Sequence, residues 1–121
     1  MVYSLIIDTA HPTAGLALVE DNHIIDQDMW PNTPRVSRDL LQRIDRMVKK
    51  YNLPLSRIGR IAVHRGPGSY SLLRSGATVA SLLSYATGSE LVQVDGETVE
   101  EMVRQAKTAK PQKRLTIQYK S

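Results

Sequence analysis

Cysteine and phenylalanine are absent, tryptophan occurs once, and no Lys or Arg precedes residue 35. Without cysteine there is no disulfide framework, no thiolate zinc site and no cysteine nucleophile, which agrees with an intracellular, cytoplasmic protein that needs no cross-links. Hydrophobic runs are short: none approaches the ~20 residues needed to span a bilayer, so no membrane association is expected. The opening Met-Val-Tyr-Ser-Leu-Ile-Ile lacks a basic region and meets Asp8 at once, so neither a signal peptide nor a transit peptide is expected.

What is present fits one small α/β domain. The 121 residues are 41% hydrophobic, and a chain of this size buries roughly two-thirds of its unfolded surface. Two lobes enclosing a cleft do not fit. The formal charge of +4 is unevenly distributed. Residues 1 to 34 carry five acids and no base; residues 35 to 74 carry ten bases and two acids. Residues 75 to 106 carry five acids and one Arg, and residues 107 to 121 five bases and no acid. A striped chain offers different surfaces to different partners.

Residues 2–7 form an apolar run like a strand buried on both faces. Gly15–Val19, the turn Glu20-Asp21-Asn22 and His23–Asp28 predict a hairpin, which completes a three-strand antiparallel meander. Thr33 and Pro34 predict an N-cap and first helical residue, with Leu40, Leu41, Ile44, Met47, Val48 and Tyr51 on one face. Asn52-Leu53-Pro54 ends that helix. A strand over Ile58–Val63 follows, then a turn at Gly66-Pro67-Gly68-Ser69 into a helix that runs to Thr87 and stops at Gly88. Leu91–Val94, a helix over Thr98–Ala106, a basic linker and a final strand over Leu115–Tyr119 complete the order, with the later strands parallel to the first.

Three features could carry chemistry. Asp8-Thr9, at a strand end, suits a hydrated metal and a phosphate oxygen, or Asp8 only closes a turn. Gly66, Gly68 and Ser69, between strand and helix, suit an anion held by backbone N–H groups, or form a tight turn capped by Ser69. Neither a dinucleotide fingerprint nor a P-loop is present. The third is the helix from Ser69 to Ser89, whose single charged side chain is Arg74. Its Leu72, Leu73, Gly76, Ala77, Val79, Ala80, Leu82, Leu83 and Ala86 cover more than one face, so another chain is expected to cover part of it. The alternative is a weakly polar exposed face of Ser71, Thr78, Ser81 and Ser84. His11, His23 and His64 share no ligand spacing, so no metal site is expected.

Ile6-Ile7-Asp8-Thr9-Ala10, Leu40-Leu41 with Ile44, and above all Arg65-Gly66-Pro67-Gly68-Ser69-Tyr70-Ser71-Leu72-Leu73-Arg74 resemble the TsaB (YeaZ) family. That family belongs to tRNA threonylcarbamoyladenosine synthesis. The resemblance covers residues 1 to 106 and implies a ribonuclease H-like lobe of the actin-like ATPase (ASKHA) fold. It also implies a non-catalytic subunit with no cofactor, which pairs through helices with a TsaD-like catalytic subunit, alongside a TsaE-like ATPase, to modify adenosine 37 of tRNA. Docking residues on this reading are Leu41, Val48, Leu72, Ser75, Gly76, Val79, Ala80 and Leu83; homodimerisation through the same surface is the alternative when the chain is alone. Asp8, Thr9, Gly66, Gly68 and Ser69 would line any nucleotide site, but one lobe cannot sandwich ATP, so hydrolysis is not expected.

Departures are His64 and Leu72, each where the family has Gly, Ser71 for Thr, and Val36 where a His is common. The family's second lobe would begin near residue 115; natural reduction and shortening both remain open. Two other functions compete. One is a nucleic-acid-binding accessory protein using residues 35–74 and the basic tail; the other is a small ASKHA-type nucleotide-binding protein.

Overall fold

The computed structural model describes residues 2–113 and 115. Strands β1 (Tyr3–Asp8), β2 (Thr13–Glu20) and β3 (His23–Pro31) are followed by helix α1 (Val36–Lys50). Strand β4 (Ile58–His64), helix α2 (Tyr70–Thr87), strand β5 (Glu90–Val94) and helix α3 (Val99–Thr108) complete the order. The five strands form one sheet in the order β3-β2-β1-β4-β5. β1 to β3 are the expected antiparallel meander, and β4 and β5 run parallel to β1.

Strand side chains alternate between faces, so the sheet sorts its apolar residues into two layers. Leu5, Ile7, Leu18, Ile61 and Val63 pack with Leu40, Ile44 and Val48 of α1 and with Val79 and Ala80 of α2. Ile6, Ala17, Ala62, Val92 and Val94 meet Met102, Val103 and Ala106 of α3 on the other side. The near-continuous apolar character of β1 and β4 follows, because both faces of the central strands are covered.

The turns explain the register. Asp21 and Asn22 both have positive φ (47° and 75°), as a two-residue hairpin turn of matching twist requires. Asn52, at φ 50°, ends α1: its own N–H reaches the Lys49 carbonyl and the Leu53 N–H reaches that of Val48, the paired bonds of a Schellman ending. Gly88 ends α2 in the same left-handed region.

Two capping expectations are corrected. The helix begins at Val36, not at Pro34, with Arg35 at its cap and no side-chain cap bond. The Thr33 hydroxyl instead accepts from Arg35 N–H, and its carbonyl accepts from Val36 N–H, so Thr33 closes a separate turn ahead of the helix. Ser69 stands at the α2 cap position but makes no cap bond, and its Oγ lies 3.4 Å from that of Ser71. Thr98 does cap α3, accepting from Glu101 N–H.

α3 extends through Thr108, two residues past the lobe boundary expected at 106. The strand expected at Leu115–Tyr119 lies outside the described residues except for Leu115, which packs against the larger core. Among the described residues no helix is long and apolar enough to cross a membrane.

Candidate functional site

The carboxyl ends of β1, β4 and β5 lie side by side, and the loops that leave them converge where open α/β sheets place their ligands. These loops hold Asp8 to Pro12, His64 to Ser69 and Asp95 to Thr98. Packing between backbones fixes their spacing. A Cβ on Gly68 would lie 2.6 Å from the Ala10 carbonyl oxygen, so the second glycine of the turn serves close approach to the β1 loop. Gly76 does the same for α2: a Cβ there would fall 2.3 Å from the Thr9 hydroxyl. Gly66 has φ 102°, a conformation that suits glycine.

Asp8 is buried at the end of β1. Its Oδ1 accepts from Ala10 N–H at 2.9 Å, which closes the turn, and its Oδ2 lies 2.6 Å from His11 Nδ1. The His11 ring meets the His64 ring edge to face, centroids 5.0 Å apart. His64 is buried, Nδ1 accepting from Gly66 N–H and Nε2 facing the Gly96 carbonyl, each at 3.0 Å. Because a backbone N–H can only donate, Nδ1 carries the lone pair and Nε2 the proton. His64 thus pins the β4–α2 loop to the β5–α3 loop.

The fold brings two of the three histidines together. His23 stays apart on β3, but His11 and His64 converge with Asp8, and the three can place one ligand atom each within 4.8 Å of one another. No sequence spacing announces this, because residues 8 and 64 are brought together by parallel pairing of β1 and β4.

A cleft of about 290 Å³ opens beside the cluster, lined by Asp8, His11, Thr13, Met29, Glu97 and Met102 among others. Gln105 of α3 ties that helix to the β5–α3 loop. Its Oε1 accepts from the N–H groups of Asp95 and Gly96, and its amide donates to Asp95 Oδ1 at 2.6 Å. That bond, followed by the one from Arg65, holds the Asp95 carboxyl below its ordinary 3.8. A lowered carboxylate contributes stability above the unfolded value and loses it as pH falls through the folded one. Asp95→Asn is accordingly expected to lower Tm at neutral pH and to leave the difference from the natural chain shrinking below about pH 4. A constant difference down to full acid unfolding would refute this.

The nucleotide set divides. Asp8 borders the cleft, but Thr9 is fully buried, its Oγ1 without a hydrogen-bond partner among the described residues and pressed beneath Gly76. Gly68 is occupied by Ala10. The β1 hydroxyl expected to face a phosphate is sealed inside the fold.

The docking set divides in the same way. Val48, Gly76, Val79 and Ala80 are buried within the chain and cannot meet a partner, while Leu72, Ser75 and Leu83 are half-buried. Leu41 is exposed. The outward face of α2 carries instead Leu82, 62% exposed, and Tyr85, 91% exposed, with Arg74, Thr78 and Ser81 beside them. Tyr85 escaped the sequence reading because an apolar helix with two plausible faces does not say which one the sheet takes.

Basic residues are less free than composition suggests. Of the ten in residues 35–74, Arg43, Lys49, Lys50, Arg60 and Arg65 pair with Asp28, Asp45, Asp26, Glu90 and Asp95. Arg43 also stacks 4.4 Å above Trp30. Asp26 sits below its ordinary value, chiefly through the Lys50 bond, with Tyr51 assisting.

Comparison with known proteins bears on this geometry. The family described as TsaD: tRNA N6-adenosine threonylcarbamoyltransferase matches residues 34–115. No curated protein matches the sequence. Among solved structures, YeaZ from Pseudomonas aeruginosa superposes with a TM-score of 0.71 at 22% identity, over 78% of this chain and 44% of that one. A second P. aeruginosa protein, described by its similarity to peptidase YeaZ, gives 0.70 at 24%, with the same coverage. RuvC from T. thermophilus, solved with a Holliday junction substrate, gives 0.57 at 12%, over 98% of this chain and 86% of that one. The chain thus spans less than half the length of the YeaZ structures it matches, and its fold is the ribonuclease H-like α/β lobe that the motif resemblance implied. With the family match covering well over half of the sequence, the chain belongs to the TsaD family, and its fold is one it shares with YeaZ.

Proposed function

We propose that the chain serves tRNA N6-threonylcarbamoyladenosine synthesis as a non-catalytic subunit that docks a TsaD-like catalytic subunit through the outer face of α2. On this reading it works in the cytoplasm beside a TsaE-like ATPase, and tRNA is reached through the partner. The observation that carries the proposal is the pair Leu82 and Tyr85, exposed on the helix that follows the Gly-Pro-Gly-Ser motif. Buried aromatic anchors supply most of the energy at protein interfaces, and this helix presents one on a face whose single charge is Arg74. Support for a non-catalytic role comes from the sealed Thr9 hydroxyl.

Tyr85→Asp and Leu82→Glu are the test. Both positions are solvated in the isolated chain, so the far-ultraviolet dichroism spectrum and Tm should be preserved, whereas co-purification with the TsaD-like subunit should be lost. Undiminished co-purification by either folded variant would place the interface elsewhere. The phosphate-binding alternative is weakened by the five ion pairs of the basic segment. It requires steep salt dependence of tRNA binding, which the same purified chain can be assayed for.

A further inference from the structure

We infer that Asp8, His11 and His64 form a binding site for a borderline-soft divalent ion of the Zn²⁺ class. The residue types are the first argument. Two imidazoles and one carboxylate are a recurrent ligand set for zinc and its first-row neighbours, with a fourth position left to water or another carboxylate. Here they lie at the ends of two adjacent parallel strands, and their ligand atoms fall within 4.8 Å of one another.

Burial is the second argument. Asp8 and His64 are buried and His11 is partly so, in a chain with only three histidines. Solvated surface residues gather by chance; two imidazoles and a carboxylate gathered under cover are already held in place by hydrogen bonds, so a cation would meet a preorganised set. The surroundings are the third argument. His64 Nε2–H is anchored on the Gly96 carbonyl at 3.0 Å, the outer-shell bond that orients a ligating imidazole. That leaves Nδ1 as the coordinating atom, which exchanges its bond from Gly66 N–H for one to the metal. The 2.6 Å contact between Asp8 Oδ2 and His11 Nδ1 is a proton held where a metal would sit, and binding displaces it to solvent. Glu97, whose Oε2 lies 3.8 Å from His11 Nε2 across the mouth of the cleft, supplies an exposed carboxylate at the entrance.

The site is distinct from a magnesium–nucleotide site on Asp8. Magnesium prefers oxygen ligands and keeps its waters, whereas two imidazole nitrogens select the later first-row metals. It is equally independent of the docking face on α2, so either proposal can fail alone.

The experiment titrates the untagged full chain with Zn²⁺ by calorimetry and with Co²⁺ by visible absorption, Mg²⁺ being the control. One Zn²⁺ per chain is expected, together with a rise in Tm, and a Co²⁺ band whose intensity reports four-coordinate nitrogen and oxygen ligation. Excess Mg²⁺ should not displace either ion. His11→Gln and His64→Gln should each weaken binding by about tenfold or more, while His23→Gln should bind as the natural chain does. Should His64→Gln lose its loop clamp and fail to fold, His11→Gln and Asp8→Asn decide the matter. No Zn²⁺ binding, binding unchanged in His11→Gln, or displacement by Mg²⁺ would each overturn the assignment.

Discussion

Ala80→Glu is expected not to fold. Its position on a helix with one charge and many small residues resembles an interface, and a charge there would then break a complex and spare the subunit. The structure reverses that expectation. Ala80 is completely buried in the core shared by α1, α2 and the sheet, among Leu40, Ile44 and Val79. A glutamate there would have to bury an unpaired carboxyl, at an effective cost of several kcal/mol, and overpack a site built for a methyl group by a further 1–3 kcal/mol or so. Domains of this size are stable by roughly 5–15 kcal/mol. The sum approaches or exceeds that margin, so the variant should be recovered as aggregate or with the dichroism of an unfolded chain. A soluble Ala80→Glu protein melting cooperatively within a few degrees of the natural one would show that α2 packs by another face. Tyr85→Asp, five residues along on the opposite side, separates folding from docking because it changes no buried contact.

The second large effect concerns Gly76. Helix propensity alone says that Gly76→Ala should stabilise α2 by up to about 1 kcal/mol. Packing says the opposite. The new Cβ would stand 2.3 Å from Thr9 Oγ1, 2.9 Å from its Cγ2 and 3.1 Å from its Cβ. Thr9 is fully buried at the end of β1, so it cannot swing aside into solvent. Overpacking of this kind costs roughly 1–3 kcal/mol, which outweighs the propensity gain. Gly76→Ala should therefore lower Tm by several degrees. Thr9→Ala removes the two nearest atoms together with a buried hydroxyl that has no hydrogen-bond partner. In the double variant most of the loss should be recovered, and the cycle should show a coupling of at least about 1 kcal/mol. Additive single effects would mean that α2 does not rest on Thr9.

Both predictions touch the line between what is legible in the chain and what is not. The element order was legible because periodicity and turn chemistry are local. Asp21-Asn22 allow the hairpin, Asn52 and Gly88 accept the left-handed conformations that end helices, and the apolar runs of β1 and β4 require cover on both sides. The capping of α1 was misread because a Thr-Pro pair signals either a helix start or a preceding turn, and tertiary packing of the β3–α1 connection chose the turn. Glycine in the turn at 66–68 was legible as a special loop, but its reason was not. A phosphate cradle and a backbone pressed against Ala10 make the same demand on sequence.

The chain by itself determined its class: strand order by kind, the helix endings at Asn52 and Gly88, the family motif, and a polarity pattern that leaves α2 with a single charge. Those properties depend on neighbours a few residues apart. Only the tertiary structure decided which side of α2 is core, and with it that Ala80 is internal and Tyr85 external, since the inward face of a helix with apolar residues on more than one side is set by the sheet it meets. Only the parallel pairing of β1 with β4 brought His64 beside Asp8 and His11. Fifty-six positions separate Asp8 from His64 in sequence, and no local pattern encodes a contact made by two strands whose register is set by the whole sheet.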